Sequence, residues 1–148
     1  MKKETITLPQ ETLRAARRWH LVDAQGKTVG RLASAIAGIL RGKNNPSFSP
    51  HLDSGDFVVV VNARQVRFSG KKLQQKIYYR HTEYPGGIRQ TSAEQLLASQ
   101  PEAVLTKAVA GMLPKTPLGR QLAKKLKIYP GPDHPHTSQQ PVSVSLGG

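Results

Sequence analysis

The segment Gly111-Met112-Leu113-Pro114-Lys115-Thr116-Pro117-Leu118-Gly119-Arg120 holds the residue types best suited to chemistry, and that chemistry is the capture of a phosphate. Pro and Gly fix a tight bend between two helices, and Lys115 and Arg120 project beside it. A helix start next to basic side chains offers one phosphate backbone donors, a positive dipole end and mobile charge. The basic residues continue: Arg120, Lys124 and Lys127 fall on one stripe of a helix running through Leu118, Leu122 and Leu126, with Lys125 between them. An ordinary helix–turn–helix corner with a solvated basic face would show the same pattern.

A second basic stretch runs from Arg64 to Arg80, where Arg64, Arg67, Lys71, Lys72, Lys76 and Arg80 are interleaved with Phe68, Tyr78 and Tyr79. Aromatics among cations can stack on unpaired bases, but Phe68 and one of the tyrosines fit equally well in the core of a strand pair. With one Trp and 5% aromatic residues, phosphate contact is favoured over base stacking. The Tyr84-Pro85-Gly86-Gly87-Ile88-Arg89 loop either lets backbone approach a nucleic acid closely or is a flexible connection.

The inventory for catalysis is thin. His51, Asp53 and Asp56 lie close enough to suggest a metal or acid–base cluster, although Asp residues near Gly55 more often build the turn entering a strand. His134 and His136 form a His-x-His pair lacking a third ligand nearby, so donation to phosphate or packing on RNA is the alternative to metal binding. Gly26 to Gly30 has neither the P-loop nor the dinucleotide-binding spacing. The sequence therefore predicts no catalysis, no cofactor, no metal and no small-molecule substrate.

The composition of the whole chain supports the phosphate reading. Among 148 residues, Lys and Arg number 22 and Asp and Glu 9, for a net charge of +13. Basic against acidic counts are 9 to 3 over residues 1–50, 7 to 4 over 51–100 and 6 to 2 over 101–148, so the charge is not a detachable tail. Three stretches hold no acid: Ala24 to Leu52, Phe57 to Thr82 and Ala103 to Pro132. A folded chain that tolerates such self-repulsion points to a polyanionic partner, and nucleic acid leads. Zero Cys excludes disulfides, thiol catalysis and zinc ribbons and suits a reducing compartment. The longest apolar run, Phe57 to Val61, is too short to cross a bilayer. Met1-Lys2-Lys3-Glu4-Thr5 does not read as a signal peptide, because no apolar stretch follows it.

The elements that must carry these residues follow from periodicity. Trp19 to Ala24 predicts a short strand, with Gln25-Gly26 as a turn. Val29, Leu32, Ala33, Ile36, Ala37 and Leu40 form one helical stripe, and Gly42 is a left-handed stop. Phe57 to Val61 is a β-branched run suited to a strand covered on both faces. Strand, helix and buried strand together predict a right-handed βαβ unit in a parallel sheet. Asn44 to Gly55 is a loop, and Lys76 to His81 a further strand. Thr91 with Glu94, and Ser99 with Glu102, each have the spacing of a capping box. The helix after the second carries Val104, Leu105, Ala108, Val109 and Met112 on one face. The predicted organisation is an N-terminal arm over 1–16, one domain over 17–129 and an extended C-terminal tail over 130–148.

Taken in order, these pieces resemble the bacterial form of the large-subunit ribosomal protein thirteen family, from about Trp19 to Val142. The residues that carry the likeness are Trp19 to Ala24 with Gly26 to Ala33, Arg41-Gly42-Lys43, His51 to Asp56, Tyr79 to Thr82 before Gly86-Gly87-Ile88, Gly111 to Lys115 through Gly119-Arg120 to Leu126–Tyr129 and Gly131, and Gln139-Gln140-Pro141. Ala110 departs from the pattern, because members often have a basic residue there. The resemblance implies a three-layer α/β/α domain around a mainly parallel sheet of about four strands, with extended basic terminal arms. It also implies binding to large-subunit (23S-type) rRNA beside neighbouring ribosomal proteins, an early role in subunit assembly, a cytoplasmic location within the large subunit, and no catalysis. The expected RNA-binding residues are Lys115, Arg120, Lys124, Lys125 and Lys127, followed by Lys71, Lys72, Arg80, Arg89, Arg41 and Lys43. An α/β nucleotide-processing enzyme and a general duplex-RNA-binding protein are the alternatives.

Overall fold

The computed structural model describes residues 7–146. Its framework is a four-stranded, all-parallel sheet in the order β5 (Leu126–Ile128), β2 (Phe57–Val61), β1 (Trp19–Asp23), β6 (Val142–Ser143). β1 and β2 pair in register from Trp19↔Phe57 to Asp23↔Val61, joined by helix α2 (Val29–Arg41) as the predicted βαβ unit. β2 lies between two partners, so Val58, Val59 and Val60 are fully buried, the outcome its unbroken β-branched run implies.

α2 forms because its six apolar residues at three- and four-residue spacing are all buried. Completely burying Leu32, Ile36 and Leu40 stabilises the fold by roughly 1.5–3 kcal/mol each. Gly42 ends the helix at φ 82°, its N–H donating to the Gly38 and Ile39 carbonyls, and Lys43 N–H also reaches Gly38. α2 packs on α5 (Pro101–Met112), whose Val104, Leu105 and Val109 complete the core with Leu113 and Leu122. On the other side of the sheet Trp19 stacks on Phe57, with ring centroids 4.4 Å apart, and His136 lies against Trp19.

Several local expectations are corrected. The cap at α4 (Ala93–Ser99) is one residue later than Thr91–Glu94: Ser92 Oγ accepts from Gln95 N–H, and Gln95 Oε1 accepts from Ser92 N–H. Thr91 lies inside a hairpin of β3 (Ile77–His81) and β4 (Ile88–Ser92), and α4 begins only after the last strand residue, Ser92. Ser99 does not cap α5. It ends α4, its hydroxyl donating to the Gln95 carbonyl, and Pro101 opens α5. Helix α6 (Pro117–Ala123) stops before Lys124, and Leu126 and Lys127 belong to β5, so Arg120, Lys124 and Lys127 do not share a helical stripe. The tail does not stay extended either: a 3-10 turn at His136–Gln139 leads into β6, which pairs with β1. In the N-terminal arm, α1 (Gln10–Ala15) buries Leu13, while residues 1–6 and 147–148 lie outside the described residues.

Candidate RNA-binding surface

Gly119 and Pro114 define the bend between α5 and α6. A Cβ on Gly119 would fall 1.7 Å from the Pro114 carbonyl oxygen, so only glycine permits this approach. Thr116 Oγ1 accepts from Gly119 N–H and caps α6. Lys115 and Arg120, both exposed, line one cavity of about 270 Å³ together with Ala110, Leu113 and Pro114. On the other side of the same ridge, Leu113 and Pro114 wall a groove with Arg41, Lys43, Gly38 and Met112. Four of the expected cations thus flank one bend, although Lys43 and Lys115 are far apart in sequence.

Arg41 is half-buried, its guanidinium 5.9 Å from the Phe48 ring centroid. Lys124 and Lys127 are exposed, Lys124 at the end of α6 and Lys127 on β5. Lys71 and Lys72 are exposed at the start of α3 (Lys72–Gln75). Arg80 and Arg89 are exposed and stand directly opposite each other in the antiparallel hairpin. Like charges directly opposite each other in a strand pair are destabilising.

Lys125 is corrected: it is 4% exposed and cannot meet an external phosphate. Its three ammonium protons are directed to Asp53 Oδ1 at 2.5 Å, the Gly55 carbonyl at 2.9 Å and the Leu40 carbonyl at 3.2 Å. Leu40 lies in the last turn of α2, so the charge also satisfies a carbonyl that the helix leaves open. Burial holds the Lys125 ammonium below its ordinary pKa, and Asp53 opposes that shift. Asp53 Oδ2 also takes the Arg17 guanidinium at 2.6 Å.

This accounts for the acidic cluster read from the sequence. Asp53 is consumed by Lys125 and Arg17, and Asp56 accepts from Arg18 N–H and pairs with His20 Nε2. No group of three metal-ligating side chains occurs among the described residues. His136 Nε2 pairs with the Tyr129 hydroxyl at 2.7 Å, and His134 Nδ1 accepts from His136 N–H, so the His-x-His pair docks the tail. At the C-terminal ends of the strands, Asp23 Oδ1 accepts from Gln25 N–H and Asn62 Nδ2, and these bonds lower its pKa. That carboxylate is committed to a turn.

Against known proteins, the model of the family described as ribosomal protein L13 matches residues 17–135. The chain belongs to the ribosomal protein L13 family. It is 53% identical over 146 residues to the large ribosomal subunit protein uL13 of Symbiobacterium thermophilum, covering 99% of this chain and 100% of the relative. Identity to the protein of the same name from Thermus thermophilus is 60% over 129 residues, covering 87% and 92% of the two chains. For that of Alkaliphilus oremlandii it is 59% over 130 residues, covering 88% and 91%. Within the family frame Ala110 gains a location: it lines the Lys115–Arg120 cavity, so a cation there would have joined those two.

Four exposed cations from outside the expected set join these surfaces. Arg31 and Arg67 line a groove with Lys72 at the start of α2. Lys76 and Lys107 bring their Nζ atoms to 5.3 and 5.1 Å from the Tyr78 ring centroid. All four belong to the acid-free runs, but nothing local in the sequence brings Lys107 of α5 to the hairpin.

Proposed function

We propose that this chain is a structural constituent of the large ribosomal subunit that binds and helps fold large-subunit (23S-type) rRNA early in assembly, in the cytoplasm, beside neighbouring large-subunit proteins. The observation that carries this reading is family membership over nearly the whole chain. The mechanism is counterion displacement. Exposed Lys115, Arg120 and Lys43 with half-buried Arg41 around the bend, exposed Lys124 and Lys127 beyond it, and exposed Lys71, Lys72, Arg80 and Arg89 around the hairpin neutralise phosphates where RNA segments converge. Lys125 acts indirectly by fixing the end of α2 against the start of β5.

The reading involves no reaction and no small-molecule substrate. No described helix is long and apolar enough to cross a membrane. The test is co-sedimentation of the tagged chain with large subunits through a sucrose gradient, combined with competition between the cognate rRNA fragment and random duplex. Absence from the large-subunit peak overturns the ribosomal reading, and equal competition by random duplex favours a general duplex binder.

A further inference from the structure

The β3–β4 hairpin stands outside the main sheet, and only Tyr78 from its strands packs against the core. Alternation and register divide its side chains into two faces. Tyr78, Arg80, Arg89 and Thr91 share one, beside Lys76 and Lys107. Ile77, Tyr79, His81, Ile88, Gln90 and Ser92 share the other, which has no Lys, Arg, Asp or Glu. Ile77 is 41% exposed, Tyr79 64% and Ile88 63%, with Tyr84 at the tip 75% exposed. Next to Tyr84 is Glu83, exposed, the first acid after Asp56, and without an ion-pair partner among the described residues.

We propose that this uncharged face, with Glu83 at its edge, docks a second basic protein held in the same ribonucleoprotein particle. The proposal rests on the RNA-binding function above. A protein retained by the same polyanion carries surplus positive charge and is repelled by most of this +13 chain. Here it meets apolar side chains and a carboxylate, so a partner segment with apolar residues bracketed by Lys or Arg is complementary in both respects. RNA fits this face poorly. It supplies no Lys or Arg for a phosphate, and Glu83 repels the backbone. An isolated two-stranded hairpin is marginal in water, and covering both faces, RNA on one and protein on the other, holds it.

The test introduces the photoreactive residue p-benzoyl-phenylalanine at position 79 or position 89 of the full chain in cells and reads the adducts in gradient-purified large subunits. Position 89 reports the RNA-binding reading and position 79 this one, so the two fail separately. The expected result is a protein adduct from position 79, reduced about tenfold when Glu83→Lys places like charge against the partner. An rRNA adduct from position 79, or no protein adduct there, overturns the proposal. With purified rRNA fragment alone, Tyr79→Ser with Ile88→Ser leaves affinity within about twofold, since neither residue neutralises a phosphate; a tenfold loss assigns the face to RNA instead.

Discussion

Lys125 and Asp53, 72 residues apart in sequence, meet at 2.5 Å inside the protein, and with Arg17 they lock the loop before β2 to the junction of α6 and β5. Removing one member leaves the other charged and buried. Asp53→Asn is therefore expected to cost about 3–5 kcal/mol, read as a lower urea midpoint. In a double-mutant cycle with Lys125→Met, the pair costs less than the sum of the single changes. Lys125→Met lowers stability but leaves the salt dependence of RNA binding unchanged, the opposite of Lys124→Ala.

The bend cations act on phosphates directly. Lys115→Ala and Arg120→Ala are each expected to reduce the slope of log affinity against log salt by somewhat under one unit. Fluorescence anisotropy with a labelled rRNA fragment between about 50 and 200 mM salt measures this. An unchanged slope for either variant removes that residue from the interface.

Arg80 faces Arg89 across the β3–β4 hairpin, and like charges directly opposite each other are destabilising in a strand pair. Replacing Arg89 with Gln relieves the repulsion, and a hairpin stabilised by about 0.2–1 kcal/mol is expected. Hydrogen exchange of the β3–β4 amides in the free protein should slow, while RNA affinity falls. A faster exchange would contradict the repulsion.

Gly119→Ala drives a methyl group into the Pro114 carbonyl, so the bend must open. A loss of about 1–3 kcal/mol is expected from this overpacking, seen as a lower melting temperature. RNA affinity falls with it because Lys115 and Arg120 move apart. Adding Lys at position 110 instead places a third cation at the same cavity and should raise the salt slope.

The Asp23 carboxyl lies below its ordinary 3.8 because Asn62 Nδ2 and Gln25 N–H donate to it. Its contribution to stability is complete above 3.8 and is lost as pH falls through the lowered folded-state value. Asn62→Gly keeps the left-handed backbone that position requires (φ 58°) and removes the larger cause. The carboxyl-carbon NMR titration of Asp23 should then move up toward 3.8. No movement would show that the Asn62 bond does not form in solution.

Much of the framework was legible because it is encoded locally. The stripe from Val29 to Leu40, the stop at Gly42 and the valine run of β2 each follow from a single physical period. The bend could be read for the same reason, since Pro114 and Gly119 lie five residues apart. What escaped was set by distant partners. Lys125 resembles its neighbours Lys124 and Lys127 in sequence, and only a carboxylate from another loop draws it inward. β6 has two residues and no pattern, and it is a strand because β1 offers an open edge. β4 has one apolar residue in five, so neither its pairing with β3 nor its end at Ser92, where α4 starts, could be read locally.

The strand order also bears on how the sheet is completed. β1 and β2 are neighbours joined by one helix, so they can zip together early over a short loop. Both flanking strands come from the far end of the chain, β5 beside β2 and β6 beside β1, and each must close a long loop before gaining any ladder bonds. Non-local parallel pairing of this kind is slow. Capture of β6 at the open edge is therefore expected late in refolding, with the approach of His136 to Trp19 as its fluorescent reporter.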